Sequence, residues 1–374
     1  MKLKKGFILV LVLCMAVQLL CACSDKSAVV SEKLHIGVTY YNQSDTFLNG
    51  LLESFREQLG ELEKDGMEIT VTIRDAAGSQ RTQNDQVKEL IDAGCSLLCV
   101  NLVDRADPSE IIDLARDNDV PIIFFNREPV AEDLMQWEKL YYVGAYADQA
   151  GIMQGELAAE AILSDDSIDR NKDGKIQYVI LEGEAGHQDA IIRTENAVDT
   201  LRNSGVELEK LSYQIANWNR AQAQNRMEQM VSQYHDEIEL VLANNDDMAL
   251  GAIDAYKKLN YAESDSPVVF GIDGTDVGLQ AVLDSDMRGT VYNDKEGQAE
   301  AMIQLAVAIA TGEGMQEISF EKERCIYLPH WKITRENVED YIKDSGEAAE
   351  ERTRGSVTVN TLPVLFIPGG GKKK

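Results

Sequence analysis

Short aliphatic runs alternate with amphipathic stretches along this chain, twice over, and that rhythm limits its fold more than any other feature. From Lys33, "KLHIGVTYY" reads as a strand, "DTFLNGLLESFREQLGELE" as a helix, "MEITVTIRDA" as a strand and "SQRTQNDQVKELIDAG" as a helix. "SLLCVNLV", "PSEIIDLARDND" and "VPIIFFNREP" continue the series to a short strand at 141–145, "YYVGA". It restarts with the helix "QAGIMQGELAAEAIL" and the strand "IQYVILEG", and runs on through "IELVLANND", "PVVFGIDG" and "RGTVYND". A last helix, "KEGQAEAMIQLAVAIATGE", and a strand pair precede "TRENVEDYIKDSG". Strands that are aliphatic almost throughout are covered on both faces, as in a parallel sheet between two helical layers. The expected fold is therefore α/β, with two doubly wound parallel-sheet lobes.

The length of 374 residues agrees with two domains. A net charge of −28 leaves no basic groove, which argues against nucleic acid or an anionic membrane surface as partner. The first residues have the layout of an export signal: "MKLKK" supplies positive charge, "GFILVLVLCMAVQLL" an apolar run and "CACSDKS" a polar switch. Leu20-Cys21-Ala22-Cys23 fits a bacterial lipobox, predicting a signal peptide over 1–22, a diacylglycerol thioether on Cys23 and a tether over 23–32. Beyond it stand only Cys95, Cys99 and Cys325, an odd number that makes no disulfide framework. Cys95 and Cys99 read as core residues at a helix end and in a strand.

In doubly wound sheets ligands sit beyond the carboxyl ends of the strands. The polar groups there are Asp45, Asn126, the "GHQD" run from Gly186, Asn245 with Asp246, Asp273 and Asn293. They come from both halves of the chain, so a cleft between two lobes would collect them. Asp189 and Arg193, four apart at a helix start, share a face. Phe47 and Trp218 stand at strand-to-helix junctions. A sugar needs this mixture: carboxylates accept from hydroxyls, Arg and Asn donate to them, and aromatic faces cover its C–H patch. No Gly-x-Ser-x-Gly, phosphate-binding Gly-rich loop or His-Glu-x-x-His points to an enzyme, and "IGVTYY" lacks the glycines of a dinucleotide site. Paired carboxylates leave a glycosidase as the enzymatic alternative.

One further motif, "DRNKDGKIQ" from Asp169, begins like a calcium loop. Acidic or amide residues alternate and glycine is sixth, but position twelve is Ile180 where such a loop has glutamate.

Long runs carry a resemblance: "QNDQ" from Gln83, "NLVD" from Asn101, "FFNREP" from Phe124, "NKDGKIQ" from Asn171, "GEAGHQDA" from Gly183, "ANNDDMALGA" from Ala243 and "GTVYND" from Gly289. From about Lys33 to Lys343 the chain resembles the periplasmic-type galactose/glucose-binding proteins, the substrate-binding components of ABC sugar importers. The resemblance implies a type I periplasmic binding protein fold with a three-strand hinge crossed near 145, 292 and 326. One lobe would comprise 33–145 and 293–326, the other 146–292 and 327–345. It implies that Asp45 accepts from hydroxyls near C4 of D-galactose or D-glucose, with Phe47 on one ring face and Trp218 on the other. Asn126, His187, Asp189, Arg193, Asn245, Asp273 and Asn293 complete the implied shell. It also implies a structural Ca2+ held by Asp169, Asn171, Asp173 and Gln177, the backbone carbonyl of Lys175, and Glu239 from elsewhere in the chain. A lysine at that backbone-ligating position departs from the uncharged residue usual there.

Its expected partners are an ABC permease and, through the lipid anchor alone, the membrane; the protein is expected to be a monomer, and some relatives signal to chemoreceptors. Two rivals remain: the same role for a pentose or modified sugar, and a sugar-responsive repressor, which would need a DNA-binding module where this chain has an export signal. After about 345 the pattern ends, and the tail 346–374 receives no role.

Overall fold

A computed structural model describes residues 33–64, 67–322 and 324–342. The expected export signal, Cys23, the expected tether up to residue 32 and the tail from 346 fall outside the described residues. Among those described, no helix is long and apolar enough to cross a membrane.

The first half runs β1 (Lys33–Tyr40), α1 (Thr46–Lys64), β2 (Glu68–Asp75), α2 (Gln80–Asp92), β3 (Leu97–Val100), α3 (Ser109–Asp117), β4 (Ile122–Phe125), α4 (Ala131–Leu134) and β5 (Leu140–Ala145). The second runs α5 (Ala147–Ser164), β6 (Ile176–Glu182), α6 (Gln188–Asn203), β7 (Leu208–Ile215), α7 (Arg220–Tyr234), β8 (Leu240–Ala243), α8 (Asp246–Lys258), β9 (Val268–Phe270), α9 (Asp276–Leu283) and β10 (Thr290–Asn293). Then come α10 (Lys295–Thr311), β11 (Cys325–Leu328) and β12 (His330–Ile333).

One sheet has the order β11-β5-β4-β3-β1-β2 and the other β7-β6-β8-β9, and the pairs within each are parallel. "LLCV", "IIFF" and "LVLA" are buried at every residue, because helices cover both faces of their sheets. Helix α1 shows the complementary pattern. Phe47, Leu48, Leu51, Leu52, Phe55 and Leu59 recur at helical spacing and are buried on one face. Each lobe thus has a core on each side of its sheet. Cys95, Cys99 and Cys325 are buried free thiols in the first lobe's core, as expected for structural cysteines.

The closing strands correct one expectation: β11 and β12 do not pair with each other. β11 joins β5 in the first sheet, whereas β12 runs antiparallel to β10. β10 is bridged to the second lobe through Asp273 and Tyr292. The chain therefore passes between lobes at 145–147, again at 293–295, and last at Pro329, three residues beyond the expected 326. After the second passage, α10 returns to pack on α1. His330 follows Pro329, and its backbone N–H donates to Gln149 Oε1 (2.9 Å), tying the third passage to the first.

Candidate functional site

Strand ends from both lobes meet in one narrow cleft with a cavity volume of about 30 Å3, bordered by solvent on part of its wall. Asp45, Phe47 and Asn126 line it from the first lobe; His187, Asp189, Arg193, Trp218 and Asp273 line it from the second. Eight of the ten residues expected around a sugar therefore converge. The other two, Asn245 and Asn293, are buried but are not among the lining residues. Asn245 caps α8 by accepting from Met248 N (2.9 Å), and Asn293 Oδ1 accepts from Gln298 Nε2 (2.7 Å).

The backbone turns sharply where these strands end. Asn126 (φ 60°), Trp218 (φ 59°) and Asp273 (φ 116°) all have positive φ, which non-glycine residues adopt at a cost of about 1–3 kcal/mol each. Surrounding contacts hold them there. Asn126 N donates to Val143 O (3.0 Å) and its carbonyl accepts from Tyr142 Oη (2.9 Å). Asp273 N donates to Val291 O (2.8 Å) and Asn293 N to Asp273 O (3.0 Å).

Neighbouring groups decide which atoms remain for a ligand. Asp45 accepts from Leu48 N (2.9 Å) and Tyr41 Oη (2.6 Å), and its remaining lone pairs are acceptors. Asn126 Oδ1 accepts from Asn101 Nδ2 (3.1 Å), which leaves the Asn126 amide N–H groups as donors. His187 Nδ1 accepts from Asp189 N (3.2 Å), so the neutral ring carries its proton on Nε2. Burial, with Arg127, Arg193 and Arg105 nearby, holds His187 well below the usual imidazole range. Arg193 donates to Asn244 O (2.8 Å) and lies 3.6 Å from Asp273 Oδ1, yet its buried Nε has no protein partner. Burial raises the Asp189 and Asp273 carboxyls, against the opposing pull of Arg193. The His187 ring meets the Trp218 ring edge-on, with centroids 5.1 Å apart. The cleft thus offers carboxyl acceptors, N–H donors and two aromatic walls, each buried or half-buried.

Asp246, also at a strand end, faces away from this set. Its carboxylate accepts from Thr275 N (2.7 Å), Thr275 Oγ1 (3.1 Å) and Thr290 Oγ1 (2.5 Å), tying together β10 and the loop after β9. Burial pushes its pKa up to about 7. Sequence reasoning missed two lining residues, Tyr41 and Arg127. The Arg127 guanidinium lies 3.6 Å from the Tyr41 ring centre. Adjacency to Asn126 and Asp45 was the only signal in the sequence.

The lobes touch across the cleft. Thr46 Oγ1 donates to Asp247 Oδ2 (2.6 Å), and Arg127 pairs with Glu184 (3.1 Å). Buried Lys295, on the first lobe's α10, reaches Gly274 O (3.4 Å) of the second.

Away from the cleft, the loop from Asp169 folds on itself around Gly174 (φ 82°). Asp169 accepts from Asp173 N and Gly174 N, and Asp173 from Lys175 N (2.9 Å). Gln177 links Asn171 (3.0 Å) to Asp173 (2.9 Å). Glu239, immediately before β8, accepts from the backbone N–H groups of Arg170 (2.6 Å), Asn171 (3.3 Å) and Gln177 (3.2 Å). The six expected residues thus belong to one cluster. Among the described residues no three His, Cys, Asp or Glu side chains are grouped to hold a metal by themselves. A hard cation here would also need the Asn171, Gln177 and Lys175 oxygens.

A family model described as "Periplasmic binding protein domain" matches residues 36–314. The D-galactose/methyl-galactoside binding periplasmic protein MglB of Haemophilus influenzae is 34% identical over 325 residues, covering 86% of this chain and 96% of that protein. A xylitol-binding protein of Mycolicibacterium smegmatis is 28% identical over 303 residues, covering 79% of this chain and 77% of its own. Among solved structures, an ABC transporter solute binding protein from Bacillus halodurans with bound myo-inositol superposes with a TM-score of 0.69 at 28% identity. That match covers 84% of this chain and 99% of the other.

Proposed function

Because the chain belongs to the periplasmic binding protein domain family, we propose that its cleft is the receptor site of an ABC sugar importer, with D-galactose or D-glucose as ligand. The observation that carries the reading is the polarity of the cleft: Asp45, Asp189 and Asp273 accept, while Asn126, His187 Nε2 and the unpartnered Arg193 Nε donate. A polyhydroxylated ring matches both roles at each hydroxyl, and Phe47 and Trp218 offer apolar faces to its C–H groups. The 34% identity to a galactoside-binding protein, over nearly the whole of both chains, favours an aldohexose over the polyols named for other relatives.

Transport in this reading needs no chemistry on the sugar. Ligand bridges residues of both lobes and so favours the closed arrangement, which a permease distinguishes from the open one. The three passages at the hinge confine the motion to a rotation of one lobe against the other. Export, thioether attachment at Cys23 and a site on the outer face of the cell membrane complete the proposal. We further propose Ca2+ at the Asp169–Gln177 loop with Glu239, where it would pin the second lobe at a distance from the sugar. Support comes from the oxygen-rich donor set and the turn at Gly174.

Calorimetry on the lipid-free mature protein, stripped of endogenous sugar by unfolding and refolding, tests the ligand. Saturable one-to-one heat with D-galactose or D-glucose is expected. No heat with either from folded protein, together with binding of xylitol, myo-inositol or a pentose, overturns the hexose assignment.

A further inference from the structure

We propose that Arg127 and Glu184 form a latch across the mouth of the cleft, one that sets how long the closed state lasts; the inference rests on the receptor reading above. The two halves of the pair are built differently. Arg127 follows β4, is 5% exposed, and is fixed to its own lobe by two contacts that do not depend on closure. One Nη donates to Val103 O (2.9 Å), and the guanidinium stacks on Tyr41, whose hydroxyl is itself held by Asp45. The remaining Nη projects across the gap to Glu184 Oε1 at 3.1 Å. A planar guanidinium immobilised in this way loses little freedom when its last hydrogen bond forms.

Glu184 belongs to the other lobe, in the turn between β6 and α6, and its side chain is 34% exposed. Its carbonyl accepts from His187 N (3.1 Å), so the turn that closes the latch also seats His187 at the start of α6. The latch residue and a cleft-lining side chain thus share one short turn. Arg127 lines the cleft but Glu184 does not, so substitutions at Glu184 probe the latch without removing a lining side chain. When the lobes part, Arg127 keeps its two contacts within the first lobe and Glu184 returns to water. The pair thus contributes to the closed state and not to the open one, as a conformational bias must.

The test uses Glu184→Gln, which keeps shape and removes charge, and Glu184→Lys, which sets two cations face to face. D-galactose release is followed by stopped-flow tryptophan fluorescence. The lobe-to-lobe distance in ligand-free protein is followed by electron–electron resonance, with one spin label on each lobe. Glu184→Gln is expected to speed release about 3–10-fold with association unchanged within about twofold, and Glu184→Lys to speed it further; both shift the ligand-free distances outward. Release rates and distances equal to those of the unsubstituted protein, at unchanged melting temperature, overturn the latch. Should D-galactose not bind at all, the sugar assignment fails, and the ligand-free distances still decide the latch.

Discussion

Gly183 offers a direct way to test whether Trp218 is a wall of the cleft. A Cβ added there would meet Trp218 Cζ2 at 2.2 Å, Cη2 at 2.3 Å and Cε2 at 2.4 Å. The indole must retreat by about 1.2 Å to restore ordinary carbon contact near 3.4 Å. Its backbone is held at positive φ, its carbonyl lies 3.4 Å from Asn245 Nδ2, and its edge abuts His187. Trp218 lines the cleft, so displacement of its ring alters the wall the ligand would meet. Overpacking of this kind costs about 1–3 kcal/mol, and at about 1.4 kcal/mol per decade that is roughly a 5–150-fold loss, divided between stability and affinity. Gly183→Ala should weaken binding of the proposed ligand, D-galactose, about 3–30-fold by calorimetry and lower the melting temperature by a few degrees. The same substitution should cost almost nothing more in a Trp218→Ala background, because the two effects share one ring. Binding by Gly183→Ala within twofold of the parent, or an equal loss in both backgrounds, would refute the reasoning.

Two further outcomes follow from groups away from the ligand. Burial raises the Asp246 pKa to about 7 in the folded state, so that state binds the proton more tightly than the unfolded chain, and stability falls as pH rises between about 4 and 7. Asp246→Asn removes this titration, so its stability relative to the parent should improve by about 2–4 kcal/mol from pH 4 to pH 8 in urea unfolding; a constant difference across that range contradicts the assignment. For the proposed cation, Ca2+ in excess over EDTA should raise the melting temperature by about 5–10 °C in the parent and not in Glu239→Gln. A shift retained in the variant places the effect elsewhere.

Much of the fold could be read from the chain because the strands are aliphatic on both faces and the helices on one. "IIFF" and "LVLA" have few other places to go. The strand-end rule brought eight side chains to one cleft without any knowledge of tertiary packing. It says less where other protein groups, near or distant in sequence, claim a strand-end side chain. Asn245 and Asn293 occupy strand ends, but one is recruited to cap a helix and the other is taken by Gln298. Asp246 is drawn inward by Thr275 and Thr290, 29 and 44 residues away. Arg127 lines the cleft because Tyr41 and Val103, from two other strand ends, hold it there. The last two strands, "CIYL" and "HWKI", join different sheets, and which edge each one meets is not encoded in so short a pattern.

The return of α10 to the first lobe affects how the chain becomes a protein. Ala299, Met302, Ile303, Leu305 and Ala306 fill the same core as Ile36, Val38 and Phe55, and β11 supplies that lobe's outermost strand. A ribosome that has delivered everything up to β5 has therefore delivered a lobe lacking part of its interior and one edge. It stays unfinished while the whole second lobe is synthesised, because closing that long loop must await the chain beyond residue 306. In the proposed export through a translocon such a delay would help, since the leading half has no complete native structure to resist unfolding.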